Sequence, residues 1–215
     1  YLAHGKYART EPILQRALAV LEKDQRPTNP LLAHIYVNLA QLSFCEGRYS
    51  EAEKLYEKGL ASFEEIFGVE HPEVAETLNN VAKLFLVQGR YDQGESVCKR
   101  AIAIWEKSMG SDRIDVAHGL SILARLSYKQ GKHEEAEALC KRAKAIYVKF
   151  LGQRHPNVAF CLSILAELNQ AQGEYSKAKS LYEQALEIWS NSVEPGHIDL
   201  IACKEAYTAL NQMFV

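Results

Sequence analysis

No stretch of this chain approaches the run of about 18 apolar residues that reads as a membrane-spanning helix. A secretory leader and a transit-peptide pattern are also missing. The first residue is Tyr1 rather than Met, so the sequence reads as a fragment, and a missing leader carries little weight. Charge of one sign is absent. Twenty-five basic residues face 27 acidic ones, for a net charge of −2, which excludes a general attraction to nucleic acid or an anionic membrane. Five cysteines, an odd number, fit reduced thiols and a cytoplasmic setting better than a disulfide framework. Period-2 segments are lacking, so strands are not expected. Phosphate loops, nucleophile elbows and His-Glu-x-x-His are lacking too. Glu64-Glu65 and Glu134-Glu135 are adjacent carboxylates, which diverge by about 100° on a helix. Cys140 and His133 stand too far apart along one helix to form a nucleophile–base pair. Enzymatic activity, a cofactor and a metal are therefore not expected.

What is present is repetition. Gly5-Lys6-Tyr7, Gly47-Arg48-Tyr49, Gly89-Arg90-Tyr91, Gly131-Lys132-His133 and Gly173-Glu174-Tyr175 recur every 42 residues without insertion or deletion. A fixed period of this size marks a stacked repeat protein, which offers one long binding surface and no obvious reaction centre.

Residues 30–67 show how one unit is built. Leu32, Tyr36, Leu39, Ala40 and Leu42 fall at helical spacing, and Gly47 ends that helix. Ser50 with Glu53 reads as a capping box opening a second helix, whose buried stripe is Ala52, Leu55, Tyr56, Leu60, Phe63 and Ile66. Gly68 stops it, and His71-Pro72 opens the next unit with proline in the tolerated first turn. Ala40, Ala82, Ala124 and Ala166 recur where the paired helix must approach closely. The expected fold is all-α: antiparallel helix pairs stacked into a right-handed superhelical solenoid. The expected organisation is a single array with a partial repeat at 1–24, a turn at Asp24 to Asn29, full repeats at 30–67, 72–109, 114–151 and 156–193, and a terminal helix at 198–213. In that last helix Ile201, Tyr207, Leu210 and Phe214 are expected to pack inward, with Lys204 and Glu205 on the outer face of a cap.

The periodic placement of the remaining residues favours structural roles. Trp105 and Trp189 stand two repeats apart, equivalent to Phe63 and Tyr147, and read as core. His71, His155 and His197 share one inter-repeat position, too far apart for one metal, and read as caps of the turn. The cysteines read as small buried apolar residues.

Helix–Gly–helix with Gly-x-Tyr and a following Ala resembles the tetratricopeptide repeat; Gly47, Tyr49, Ala52, Tyr56 and Leu60 carry the pattern, as do Gly173, Tyr175, Ala178, Tyr182 and Leu186. The usual unit is about 34 residues; this longer form resembles kinesin light chain, most closely at His71-Pro72-Glu73-Val74-Ala75 and Thr77-Leu78-Asn79-Asn80.

The resemblance implies a protein-binding adaptor in which the first helix of each pair lines a concave groove. The uncommitted groove positions are His34, Asn38, Gln41, Asn79, Asn80, Lys83, Ser121, Arg125, Lys129 and Ser163, with Glu76, His118 and Glu167 beside them. Asparagine amides both donate and accept, which suits the backbone of an extended peptide. Lys83, Arg125 and Lys129 suit an acidic or C-terminal carboxylate-bearing partner. Two other readings stay open: a self-associating scaffold, and a regulatory region of a larger protein whose effector domain lies elsewhere.

Overall fold

In a computed structural model, residues 7–21 and 29–212 are described, with side chains from residue 10 onward. The first Gly-x-Tyr glycine, most of the turn at Asp24 to Asn29, the ends of the partial repeat at 1–24, and Phe214 lie outside the described residues. Ten α-helices and no strand occur among the described residues. They are α1 (Tyr7–Leu21), α2 (Pro30–Cys45), α3 (Tyr49–Phe67), α4 (Pro72–Val87), α5 (Tyr91–Met109), α6 (Ile114–Lys129), α7 (His133–Leu151), α8 (Pro156–Ala171), α9 (Tyr175–Ser192) and α10 (Ile198–Gln212). The chain divides into two compact units, Tyr1–Met109 and Gly110–Val215. In the first, α2 pairs with α3 and α4 with α5, and α1 packs on α2. In the second, α6 pairs with α7 and α8 with α9, and α10 packs on α9.

The turn within each pair follows from one glycine. Gly47 has φ +77°, a conformation that a residue with a Cβ adopts only with strain. That twist lets Gly47 N donate to Phe44 O at 3.1 Å and Arg48 N to Ser43 O at 2.8 Å, which satisfies carbonyls left open at the end of α2. The same pair of bonds recurs at Gly89-Arg90, Gly131-Lys132 and Gly173-Glu174.

The expected capping box is corrected here. Arg48 ends one motif and at once caps the next helix with its backbone, its carbonyl accepting from Glu51 N and Ala52 N. Helix α3 therefore starts at Tyr49, Ser50 lies inside it, and the side chain of the cap residue Arg48 makes no capping bond. The Glu53 carboxylate instead accepts from Arg90, the residue just before α5, at 2.6 Å.

The histidines at the start of the first helices do cap. His71 Nδ1 accepts from Glu73 N at 3.3 Å, His155 Nδ1 from Asn157 N at 3.2 Å, and His197 Nδ1 from Asp199 N at 3.3 Å. Asn29 does the same job for Leu31 N at 3.0 Å. Only at Arg113, among these five equivalent positions, is there no side-chain cap.

Each pair is closed by small residues. Ala33, Ala75, Ala117 and Ala159, and likewise Ala40, Ala82, Ala124 and Ala166, are wholly buried on the first helices. Phe63, Trp105, Tyr147 and Trp189 fill the other end of each interface, none more than 4% exposed. In the first unit Tyr56, Ala40, Ala52 and Leu84 form one cluster, with Val37, Phe44, Tyr49, Leu55 and Val81 packed around it.

Two further expectations are corrected. Cys98, Cys140, Cys161 and Cys203 are buried, but Cys45 is exposed at the end of α2. In α10 Leu200, Cys203 and Leu210 are the buried residues, whereas Ile201 is 42% exposed. Ile201 holds the position of Ala33, Ala75, Ala117 and Ala159, which meets a second helix in the complete pairs.

Candidate functional site

Within each unit the first helices adjoin one another, and their outward residues form a face. In the first unit His34 and Asn38 on α2 are exposed, and Asn80 and Lys83 on α4 are half-buried. His34 packs edge-on against Phe63, ring centroids 4.9 Å apart, and its Nδ1 lies 3.9 Å from Glu73 of α4. Lys83 Nζ donates to Asn80 Oδ1 at 3.3 Å. Burial pushes the Lys83 amine below the ordinary lysine range, and the Glu76 carboxylate opposes that shift. Gln41 is already engaged: its Oε1 accepts from the Tyr56 hydroxyl at 3.0 Å.

Asn79, Ser121 and Ser163 are each only 4% exposed, so the reading of them as groove-facing groups is corrected. Asn79, Ser121 and Ser163 repeat the position of Val37, on which the second helix of the pair closes at Gly59. Ser121 Oγ meets the Tyr147 hydroxyl at 3.3 Å and donates to His118 O. Ser163 Oγ donates to Phe160 O. The Asn79 side-chain oxygen has no partner.

In the second unit the face is differently charged from the expectation. Arg125 of α6 is paired with Glu167 of α8 at 2.5 Å, and both are largely covered, at 16% and 21% exposure. Its guanidinium also lies over the Phe160 ring, 5.4 Å from the centroid. Arg125 is thus a neutralised bridge between two first helices rather than a free positive charge. Lys129 is exposed and lies 5.6 Å from the Tyr128 ring centroid. Asn157 Nδ2 and His118 Nε2 are hydrogen-bonded at 3.2 Å, a second polar bridge between α8 and α6.

The sequence carries two signals of these differences. Arg125 and Glu167 stand 42 residues apart, one full period, so opposite charges had to meet on successive first helices. The facing second helices carry Gly59, Ala101, Ala143 and Ala185, and small residues there mean that the opposing position is covered.

A tetratricopeptide repeat family model matches residues 1–65, 32–87, 73–128 and 115–191. The chain belongs to the tetratricopeptide repeat family. No curated protein matches it in sequence. Among solved structures, BtubC (BKLC) from P. vanneervenii is similar over 96% of this chain and 82% of its own, at 22% identity and a TM-score of 0.73. A kinesin light chain-like protein from Podosopora anserina, with nearly identical TPR-like repeats, covers 87% of this chain and 89% of its own, at 24% identity and TM-score 0.69. The apo form of RapI covers 84% of this chain and 63% of its own, at 16% identity and TM-score 0.66. At these identities the likeness is one of fold. The array is thus a tetratricopeptide fold of the long-repeat, kinesin light chain-like type, a family whose general role is binding proteins. No helix among the described residues is long and apolar enough to cross a membrane, and no group of His, Cys, Asp and Glu there could hold a metal.

Proposed function

We propose that this protein is a non-catalytic, cytoplasmic scaffold that holds a peptide segment of a partner protein along the first-helix groove. The observation that carries the reading is the division of labour on α2 and α4. Apart from Leu31, Cys45 and Val87 at the helix ends, their apolar and small residues are buried or half-buried in the packing, while Asn38, Asn80 and Lys83 remain at the outer face. Asparagine is a poor helix former, worth roughly half a kcal/mol less than alanine, so its presence there calls for a use. The desolvated Lys83 amine favours a partner carboxylate, which would supply the counter-charge that burial makes valuable. An acidic or C-terminal segment is therefore the preferred ligand. Lys129 adds a positive charge to the face of the second unit; Arg125 adds none while Glu167 holds it. The stacked helices fix these groups before binding, so the ordering cost falls mainly on the peptide. Five free thiols support a reducing compartment.

A peptide-display selection tests this, run on the wild type and on Asn38→Ala/Asn80→Ala/Lys83→Ala. Enrichment of acidic or C-terminal sequences by the wild type, lost in the variant, supports the reading. Identical enrichment by both sinks it. A second reading, self-association, is favoured by Ile198 and Ile201 of α10, exposed at 77% and 42%. A molecular mass that rises with concentration, and falls back in Ile198→Glu/Ile201→Glu, would establish it.

A further inference from the structure

We infer that Glu167 is a specificity-determining residue of the first-helix face: it fills, from within the chain, the seat at Arg125 that a partner carboxylate would take, and so keeps that position from reading one. The inference deepens the proposed function and rests on its carboxylate reading.

The seat is built from two helices. The Arg125 guanidinium of α6 lies over the Phe160 ring of α8, 5.4 Å from the centroid. Its Nη2 donates to Ser163 Oγ at 3.5 Å, and its Nη1 donates to Glu167 Oε1 at 2.5 Å. Three side chains of α8 thus hold one guanidinium, and one of the three is a carboxylate. Arg125 and Glu167 are only 16% and 21% exposed. A guanidinium so covered attracts an anion more strongly than one in open water, and its planar fork matches a carboxylate. The occupant of the seat is Glu167 itself.

The pair also cancels its own field. Burial raises the phenols of Tyr128 and Tyr182; beyond that, Glu167 raises them and Arg125 lowers them. An incoming acid therefore gains no net attraction from the pair. It reaches Arg125 only by displacing a carboxylate that is tethered beside it, and tethering gives that carboxylate a high effective concentration. The same column differs in the first unit. Lys83 stands one period before Arg125. Its amine donates to a neutral acceptor, Asn80 Oδ1, at 3.3 Å, and the Glu76 charge offsets its burial only in part. One period beyond Glu167 stands Ala209, which brings no second cation to compete for Glu167. The single acid at Glu167 thus separates a position that reads a carboxylate from one that does not.

The test titrates three Gly-Ser peptides into the full chain, followed by NMR. One carries Glu-Asp and an amidated end, one has its terminal carboxylate as its only acid, and one has neither. The Arg125 Nε–H signal reports the second unit and the Asn80 side-chain amide the first. Glu167→Ala should make the Arg125 signal respond saturably to a carboxylate peptide at about one tenth of the concentration the wild type needs. The tighter of the two acidic peptides names the source of the carboxylate. Glu167→Gln keeps the bulk and an acceptor, and should gain in the same direction by less. A bridge that merely ties α6 to α8 would lose stability when cut and create no binding. The inference is overturned if both variants fold and neither gains, or if the uncharged peptide moves Arg125 as far as the acidic ones. An Asn80 amide that ignores carboxylate in the wild type marks failure of the groove reading, while the Arg125 signal still judges Glu167 separately.

Discussion

Gly59 is a buried glycine inside a helix, where alanine would ordinarily be the better residue by about 1 kcal/mol. Its place explains the exception. A Cβ built on Gly59 would come within 2.7 Å of Val37 Cγ2, with Ala33 O at 3.4 Å behind it. Val37 is β-branched and half-buried, so its χ1 is held near one rotamer and the methyl cannot swing away cheaply. Overpacking of this kind costs about 1–3 kcal/mol. Set against the propensity gain of about 1 kcal/mol, Gly59→Ala should destabilise by about 0–2 kcal/mol. The later repeats solve the same contact differently, with Ser121 opposite Ala143 and Ser163 opposite Ala185. Val37→Ser/Gly59→Ala should therefore recover stability that Gly59→Ala loses, with a coupling of about 1–2 kcal/mol between the two sites. Denaturant midpoints of the four proteins in the cycle measure it; for a chain of this size each kcal/mol also moves Tm by about 2–4 °C. If Gly59→Ala alone is stabilising, or the coupling is within error of zero, the close approach of α2 and α3 is not what selects glycine.

Other consequences are as direct. His155→Ala should cost about 0.5–2 kcal/mol of stability, whereas His155→Asn should be nearly neutral, because Asn29 fills the same role in α2; equal losses would show that capping is not the histidine's job. Arg125→Ala leaves the Glu167 carboxylate largely covered without its partner and should cost about 1–3 kcal/mol, with Arg125→Ala/Glu167→Ala milder than Glu167 stranded alone; thermal melts decide. Only Cys45 should react quickly with a thiol reagent, since the other four are buried and burial pushes the Cys203 thiol up to about 12; more than one fast thiol would contradict the packing. Burial raises the phenols of Tyr56, Tyr128, Tyr147 and Tyr182. A raised pKa means that the folded state keeps protons that the unfolded chain releases near pH 10, so stability is full below that pH and is lost as pH rises beyond it. Helix loss and a late fraction of the tyrosinate absorbance should appear together on alkaline titration; full tyrosinate formation with helices intact would refute this.

The fold was legible because every local device repeats at the same spacing. The Gly47 series marks one turn of each pair, and the His71 series opens the first helices, so a misjudged element would have had to fail in several places at once. The face of the first helices was less legible, for a physical reason. Polarity points a residue outward, yet a short polar side chain such as Ser121 or Ser163 can be buried once its hydroxyl is satisfied by a carbonyl within its own helix. What decides burial there is the size of the residue opposite, a property of a different helix some 22 positions along the chain. Charge misleads in the same way: Lys83 and Arg125 are equivalent by period, but only Arg125 is followed one period later by an acid, Glu167. A groove in a repeat protein is therefore better read down the columns of the repeat than along any one helix. The columns give the pairs that cancel, such as Arg125 with Glu167, and leave Asn38, Asn80 and Lys83 as the groups for which binding has a use.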